Sequence, residues 1–432
     1  MIKRTSIVAC LLLGLTLQAL PQKIITLGKC YEMAEGKSAL SAEKGLHSTI
    51  SAMKDRNLSR NWLPSLDAGA TVLYNSEMID LGDKFAAIPI PGLSDLIKPM
   101  PHEQYKVTLD ITQTIYDGGA VKAAREVENK SLEVSIKETE TDLYKIRTQV
   151  NNCFFPVLML EKQAESLTLY RELIEKRISA MESALRNGVA LASDIDIMKA
   201  EKLKIVQQLK EVEIKRSAML KVLSDLTGTE IGPQDKLSPP LPVNDQDYDL
   251  ARPELRYLDL RKEQISAGMK LASTRRMPKA YGFATLGYGN PPGNNFLKDE
   301  FAPYYILGAG IKWNIWDWNR VKTEKNIMAL EQNILDKRKT DLEEYLRRLL
   351  EAKKAEIVSL EYLLESDREI IELRKRISAS AQSKYENGTI TVTELLNELN
   401  SERQAGVSHE LHKISLAQAK TEYLNISGQE VK

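Results

Sequence analysis

The sequence is poor in the residues that carry most chemistry. Among 432 residues there are three cysteines, Cys10, Cys30 and Cys153, and four histidines. No pair of them has metal-ligand spacing, which argues against a structural zinc site. His47 and His102 stand alone, and His409 and His412 lie one helical turn apart, a spacing that reads as a solvated helix face rather than a ligand pair. No nucleophile–base pair, metal cluster or phosphate loop is present in the pattern, so no catalytic residue, metal or cofactor is expected. Charge of one sign is lacking too: 60 Lys and Arg balance 60 Asp and Glu. A nucleic-acid-binding protein carries a basic surplus, so nucleic acid is not expected as a partner. Past the N-terminus no stretch reaches the length of apolar residues that a membrane-spanning helix needs.

The N-terminus has the features of a secretory signal. Lys3 and Arg4 form a positive start, and residues 7–17 form an apolar run too short to span a bilayer. A signal peptide is expected over 1–21, with cleavage near Ala19, although Leu17 stands where a small residue is preferred. Ile7-Val8-Ala9-Cys10 has the look of a lipobox, but Leu11-Leu12-Leu13 carry the apolar run past the cysteine and put Cys10 inside it. An exported chain without a membrane helix is periplasmic, secreted or an outer-membrane β-barrel. After cleavage Cys30 and Cys153 remain, and nothing in the sequence requires them to pair.

The chain is written twice. At a shift of 200 residues Tyr105, Ile111, Ile115, Asp117, Val121 and Lys122 match Tyr305, Ile311, Ile315, Asp317, Val321 and Lys322. At the same shift Glu172, Leu173, Ser183, Asn187 and Gly188 match Glu372, Leu373, Ser383, Asn387 and Gly388. A shift of 214 aligns an earlier piece, in which Pro64, Ala70, Thr71 and Tyr74 match Pro278, Ala284, Thr285 and Tyr288. Helical heptads align with themselves easily, but matched Pro, Gly and Asn at element boundaries do not arise that way. The organisation is therefore a first repeat over 22–228, a linker over 229–252 and a second repeat over 253–428, with a tail over 429–432. Pro233, Pro239, Pro240 and Pro242 mark the linker as non-helical.

Each copy repeats one order of elements. A helix (27–63 and 253–277) leads to a strand (65–74 and 279–288). A loop leads to a second strand (105–116 and 305–316). A very long helix follows (118–186 and 318–386), then an Asn-Gly turn and a last helix (193–226 and 392–426). The first long helix carries apolar residues at four- and three-residue steps from Ile136 through Leu143, Val150, Val157, Leu167, Ile174 and Met181, broken only by Thr139 and Arg171. Such a repeat imposes a left-handed supercoil. The Asn187-Gly188 turn folds the last helix back as an antiparallel hairpin. At 1.5 Å per residue the long helix spans about 100 Å and the last helix about half of that, which leaves the first helix free to stack on the last. Pro156, inside the heptads, bends the helix either locally or as part of a curved column.

The second strand alternates without a break. Tyr105, Val107, Leu109, Ile111, Gln113 and Ile115 share one face, and Lys106, Thr108, Asp110, Thr112 and Thr114 the other. Tyr305, Leu307, Ala309, Ile311, Trp313 and Ile315 repeat the apolar face, and Trp313, Trp316 and Trp318 cluster at its end. Aromatic girdles sit at membrane interfaces, which makes Tyr105, Tyr305 and these three tryptophans candidate interface residues. A soluble sheet would alternate too; the signal segment and the absence of a fifth strand favour the membrane. Four strands cannot close a barrel and open edges are forbidden in lipid, so the barrel must be shared between chains, two giving eight strands and three giving twelve.

These residues resemble the TolC family of outer-membrane efflux proteins over nearly the whole mature chain. The resemblance rests on Gln113-Thr-Ile-Tyr-Asp-Gly-Gly119, its counterpart Lys312-Trp-Asn-Ile-Trp-Asp317, and Arg252-Pro253-Glu254-Leu255. It rests also on the tips Asn187-Gly-Val-Ala-Leu-Ala-Ser-Asp194 and Asn387-Gly-Thr-Ile-Thr-Val-Thr-Glu394. It implies a mainly α fold with a small β part: a homotrimer whose four strands per chain form a 12-stranded outer-membrane barrel, joined to a helical coiled-coil barrel in the periplasm. It also implies passive conduction, with a periplasmic adaptor (membrane fusion) protein and an inner-membrane efflux pump or ABC exporter as partners. Docking would involve the tips Asn187, Gly188, Val189, Ala190, Leu191, Asn387, Gly388, Thr389 and Ile390. The family's entrance acids match Glu394 and Asn397, the latter a departure, and a closing tyrosine–aspartate pair matches Tyr385 and Asp194. Ile390 stands where some members carry an arginine. Glu394 and Asp194 also read simply as favourable first-turn acids of their helices. The competing reading, a periplasmic or surface coiled-coil structural protein, explains the heptads and not the amphipathic strands.

Overall fold

A computed structural model of the chain describes residues 23–78, 101–188, 190–240, 249–295 and 298–430. The expected signal segment, with Cys10, lies outside the described residues. The first strand, β1 (Ile24–Thr26), leads into helices α1 (Leu27–Lys37) and α2 (Ala39–Arg60). Strands β2 (Ser65–Tyr74) and β3 (Glu103–Tyr116) precede the long helix α3 (Ala120–Arg186) and then α4 (Ala192–Thr227). A short strand β4 (Lys236–Ser238) and helix α5 (Pro253–Thr274) open the second half. Strands β5 (Lys279–Asn290) and β6 (Ala302–Lys312) and helices α6 (Arg320–Glu386) and α7 (Val392–Ser427) complete it.

The element order follows the sequence reading, with three differences. The first helix is interrupted at Ser38, whose extended backbone returns its amide to the Ala34 carbonyl. The linker is not wholly irregular: β4 pairs in parallel with β1, Ile25 opposite Leu237, so the described residues hold six strands rather than four. Third, β6 ends at Lys312, which leaves Trp313, Ile315 and Trp316 beyond the strand instead of on its face.

The chain folds as two compact units. One comprises the described residues within 39–144 and 249–349 and holds the four long strands. They form one antiparallel sheet in the order β2-β3-β5-β6. The duplication is written into its registers. Ser65 faces Thr112 within copy one, and the two shifts carry that pair to Lys279 and Lys312, which face each other within copy two.

This sheet is amphipathic in the reverse sense to a soluble one. Along β6 the apolar residues Tyr305, Leu307 and Ile311 are 73%, 72% and 77% exposed, and the even positions between them are half-buried. Val107 and Val72 on the same face are 60% and 71% exposed. On the other face Asp110 accepts hydrogen bonds from the hydroxyls of Thr108 (3.0 Å) and Thr285 (2.5 Å). There too the rings of Tyr304 and Phe283 lie over Gly287 and Gly308, where an added Cβ would come within 2.2 and 2.4 Å of ring carbon. Those two glycines are thus needed for the close approach of the rings.

In the same unit, cross-helix ion pairs give the lateral order α2, α3, α5, α6. Lys44 meets Glu140 (3.2 Å), Lys130 meets Glu263 (2.8 Å) and Lys339 meets Asp259 (2.9 Å). Each exposed pair contributes little energy, but together they specify neighbours. The outermost helices α2 and α6 carry exposed apolar residues at helical spacing, Ile50 and Met53 on one, Leu330 and Ile334 on the other.

The second unit comprises the described residues within 1–38, 145–248 and 350–432. One core cluster gathers Leu27, Cys30, Phe154, Phe155, Val157 and Leu223. It includes the heptad positions Val150 and Val157 and also Phe154 and Phe155, which lie off that stripe and meet at 5.7 Å edge-on. Pro156 lies within α3 without ending it. A polar node crosses this cluster: the Tyr31 hydroxyl donates to Asn151 Oδ1 (2.5 Å) and accepts from Asn425 Nδ2 (3.1 Å). Hydrogen-bonded buried polar groups of this kind fix which helices pack together. Cys30 and Cys153 share the cluster as free thiols, and burial pushes the Cys30 thiol up to about 12. α1 packs on the end of α4, where Lys37 donates to the Asp225 carbonyl. A second cluster, with Ile174, Ile178, Met198 and Leu395 at its centre, lies next to the hairpin turns.

Candidate functional site

The long helices begin at a repeated aspartate. Asp117 is buried and accepts from the amides of Gly119 (2.8 Å) and Val121 (2.5 Å). Asp317 accepts from Val321 (3.2 Å). Each carboxylate satisfies amides that a helix start leaves open and sits at the favourable end of the helix dipole. The chain reaches this cap through two left-handed residues: Gly118 and Gly119 in copy one, Trp318 (φ 54°) and Asn319 (φ 61°) in copy two. Gly118 also approaches Met277, where a Cβ would come within 2.6 Å of its Cβ.

Aromatic residues gather at both ends of the sheet. At the Trp end, Trp313 is 57% exposed and donates through Nε1 to the Arg276 carbonyl (3.0 Å). Trp316 and Trp318 meet edge-on at 5.8 Å and are both exposed. At the opposite end Phe301 lies 6.0 Å from Tyr105 and 5.9 Å from Tyr288, and Tyr74 stacks on His102 at 6.1 Å. Tyr305 is exposed on the same face. Tyr74, Tyr288 and Phe301 were not among the expected interface aromatics, because a register is needed to bring them level with Tyr105. From Tyr105 to Tyr116 the strand advances about 36 Å.

The hairpin turns lie at the far ends of the long helices. In copy one α3 ends with the Gly188 amide on the Leu185 carbonyl (2.9 Å) and Gly188 at φ 74°. Val189 is outside the described residues. Ala190 is half-buried, and Leu191 is exposed and caps α4 without any side-chain bond. In copy two the Asn387 side chain donates to the Ser383 carbonyl (2.8 Å), and the Thr389 amide and hydroxyl both donate to the Lys384 carbonyl (2.9 Å each). Gly388 repeats the left-handed turn at φ 70°. Ile390 packs against the second core cluster and offers no cation.

Glu394 is the third helical residue of a capping box. Its carboxylate accepts from the Thr391 amide (2.7 Å) and hydroxyl (2.9 Å), and Thr391 accepts the Glu394 amide (3.3 Å). The Thr391 amide and then its hydroxyl hold the carboxyl below the usual glutamate range. Asn397 is exposed one turn on. Asp194 is likewise a first-turn acid of its helix, but without a cap bond. Tyr385 is half-buried against the second cluster, and burial, followed by the charge of Asp194, pushes its phenol up. The two are therefore neighbours, although no direct hydrogen bond joins them among the described residues. Arg177, half-buried on α3, acts on the same phenol with opposite sign. Burial holds its guanidinium below the usual arginine range. It supplies a cation that acts electrostatically on Tyr385 and that the sequence did not point to.

The reading of His409 and His412 as a solvated face is corrected. Both turn toward Asp367 of α6, a buried carboxylate, with His412 Nδ1 at 2.7 Å and His409 Nδ1 at 3.6 Å from Oδ2. Asp367 lies seven residues beyond the buried Leu360 and so occupies a heptad core position. A charged residue there needs partners from the facing helix, and that was the available signal.

No group of three or more His, Cys, Asp or Glu able to hold a metal is found among the described residues. No described helix is long and apolar enough to cross a membrane. No family model and no curated protein matches the sequence. Solved structures do match the fold. The VceC outer membrane protein of Vibrio cholerae is 14% identical, with a TM-score of 0.65 over 94% of this chain and 97% of that one. The CmeC outer membrane channel of Campylobacter jejuni is 14% identical, with a TM-score of 0.63 over 93% and 85%. The MtrE outer membrane channel of Neisseria gonorrhoeae, in its open state, is 16% identical, with a TM-score of 0.61 over 93% and 89%. With its helix-dominated architecture and one four-stranded sheet, the chain has the fold of the TolC-type outer-membrane channels.

Proposed function

We propose that this chain is one subunit of an outer-membrane channel-tunnel that passively conducts substrates exported by an inner-membrane pump and its periplasmic adaptor. One observation carries the reading: the sheet exposes apolar residues along one face, and among the described residues β2 and β6 each keep a free edge. An apolar outer band suits lipid, and free edges in lipid must be closed by further copies. Two copies supply eight strands, an interior that side chains fill. A conducting barrel therefore calls for more, and three copies, with twelve strands, are the proposed assembly. No enzymatic role is proposed. The helix tips, with Glu394, Asn397, Asp194 and Tyr385, form the proposed entrance, and their turns the adaptor surface. Fractionation with planar-bilayer recording tests the proposal. The expected result is a protein that stays with outer membranes through a salt wash and gives discrete conductance steps. A protein released by salt that leaves the bilayer silent would favour the structural coiled coil instead.

A further inference from the structure

On the channel reading, on which this inference rests, the apolar face of the sheet meets lipid and the opposite face lines the passage. Lys279 and Lys312 lie on that opposite face and pair directly across the β5–β6 ladder. They mark the end of the sheet from which the long helix α6 follows. Both are exposed. Neither ammonium makes an ion pair or a side-chain hydrogen bond among the described residues. β5 and β6 contain no acidic residue that could pair with them. Like charges set directly opposite each other destabilise a strand pair.

The duplication shows that the fold does not require these cations. The two shifts carry Lys279 to Ser65 and Lys312 to Thr112, which face each other in the same way in copy one. Copy two has thus exchanged two small neutral residues for two cations at matching positions, against the local cost of their repulsion. The nearest acids on this face belong to copy one, where Asp67 faces Asp110 two residues further from the helices. Asp110 is bonded by the Thr108 and Thr285 hydroxyls, and the counterparts of the two acids, Tyr281 and Gly310, are neutral. Fixed cations on a passage wall concentrate anions within about one Debye length, ~10 Å at 0.1 M salt. We propose that Lys279 and Lys312 make the helix-side end of the sheet select for anions, so that the cargo favoured by this channel is anionic.

Planar-bilayer recording of the full-length protein across a KCl gradient tests this, since the reversal potential gives the chloride-to-potassium permeability ratio. K279S/K312T installs the copy-one pair and is expected to lower that ratio about threefold near 0.1 M salt. K279E/K312E is expected to lower it further, and both differences should shrink at 1 M salt, where screening is stronger. A ratio that stays unchanged in both variants, or shifts equally in both, overturns the anion preference and leaves the channel reading standing. The same holds for an effect confined to retention on membranes, which would assign the lysines to lipid phosphates. A parent protein that inserts into the bilayer and never conducts overturns the channel reading itself.

Discussion

The two hairpin turns follow one backbone route and hold it by different means. Both end a long helix with a left-handed glycine, Gly188 or Gly388, and both start the next helix over a buried apolar residue, Ile195 or Leu395. Among the described residues copy two adds a reciprocal capping box and a bond from the Asn387 side chain to the Ser383 carbonyl. Copy one has the uncapped Leu191 in place of Thr391. The strand-to-helix turns are unequal in the opposite sense. Copy one uses Gly118 and Gly119 with a doubly bonded Asp117, whereas copy two holds Trp318 and Asn319 in a conformation that favours glycine. Duplication has preserved the path at each end, and each copy has kept a well-secured end and a less secured one. The copy-two tip is then the better fixed of the two proposed docking turns, and the copy-one tip the easier to reshape.

The cores beneath the tips are the first way to break this comparison. Ile195→Ala and Leu395→Ala should each cost about 3 kcal/mol in thermal unfolding, since both residues are buried in the same cluster. A large difference between them would mean that the asymmetry reaches below the caps. At the strand-to-helix turns, Asp117→Ala should cost about 2 kcal/mol and Asp317→Ala about 1, following the number and length of the lost cap bonds. Equal losses would remove the contrast there. Trp318→Gly should gain about 1 kcal/mol by relieving the left-handed backbone, offset in part by the lost contact with Trp316.

Smaller effects sharpen the contrast at the tips. Thr391→Ala should destabilise the start of α7 by about 1 kcal/mol, and Leu191→Thr should gain somewhat less at the start of α4. Hydrogen exchange of the first-turn amides reads both, and the two substitutions together should make the tips alike. The smallest effect is that of pH. The folded-state pKa of Glu394 lies below its unfolded value, so its contribution is present above the unfolded pKa and is lost as pH falls through the folded one. Protection of the copy-two tip amides, taken relative to their intrinsic exchange rates at each pH, should therefore fall at acid pH. Glu394→Gln should abolish that dependence, and the copy-one tip should not share it.

Much of the fold was legible because its signals are long or repeated. β2 spans the residues expected of it, and the last helices match within a residue at each end. Alternation over ten residues and heptads over fifty leave few other solutions. Short and nonlocal features stayed hidden. Three-residue strands such as β1 and β4 are too short for any period and exist only because their partner lies some 210 residues away. The halt of β6 at Lys312 could not be seen while the apolar alternation ran on through Trp313 and Ile315. At the candidate site the tip positions and first-turn acids were legible from the Asn-Gly turns. The pairing of His412 with Asp367 and the electrostatic action of Arg177 on Tyr385 depend on which helix faces which, and heptads leave that open.

The account depends most on the incompleteness of the single chain: among its described residues, a sheet with two free edges and helices with exposed apolar stripes. Native mass spectrometry of the protein extracted in mild detergent tests this directly. The predicted result is a single species of three chains, and a species of one chain would contradict it.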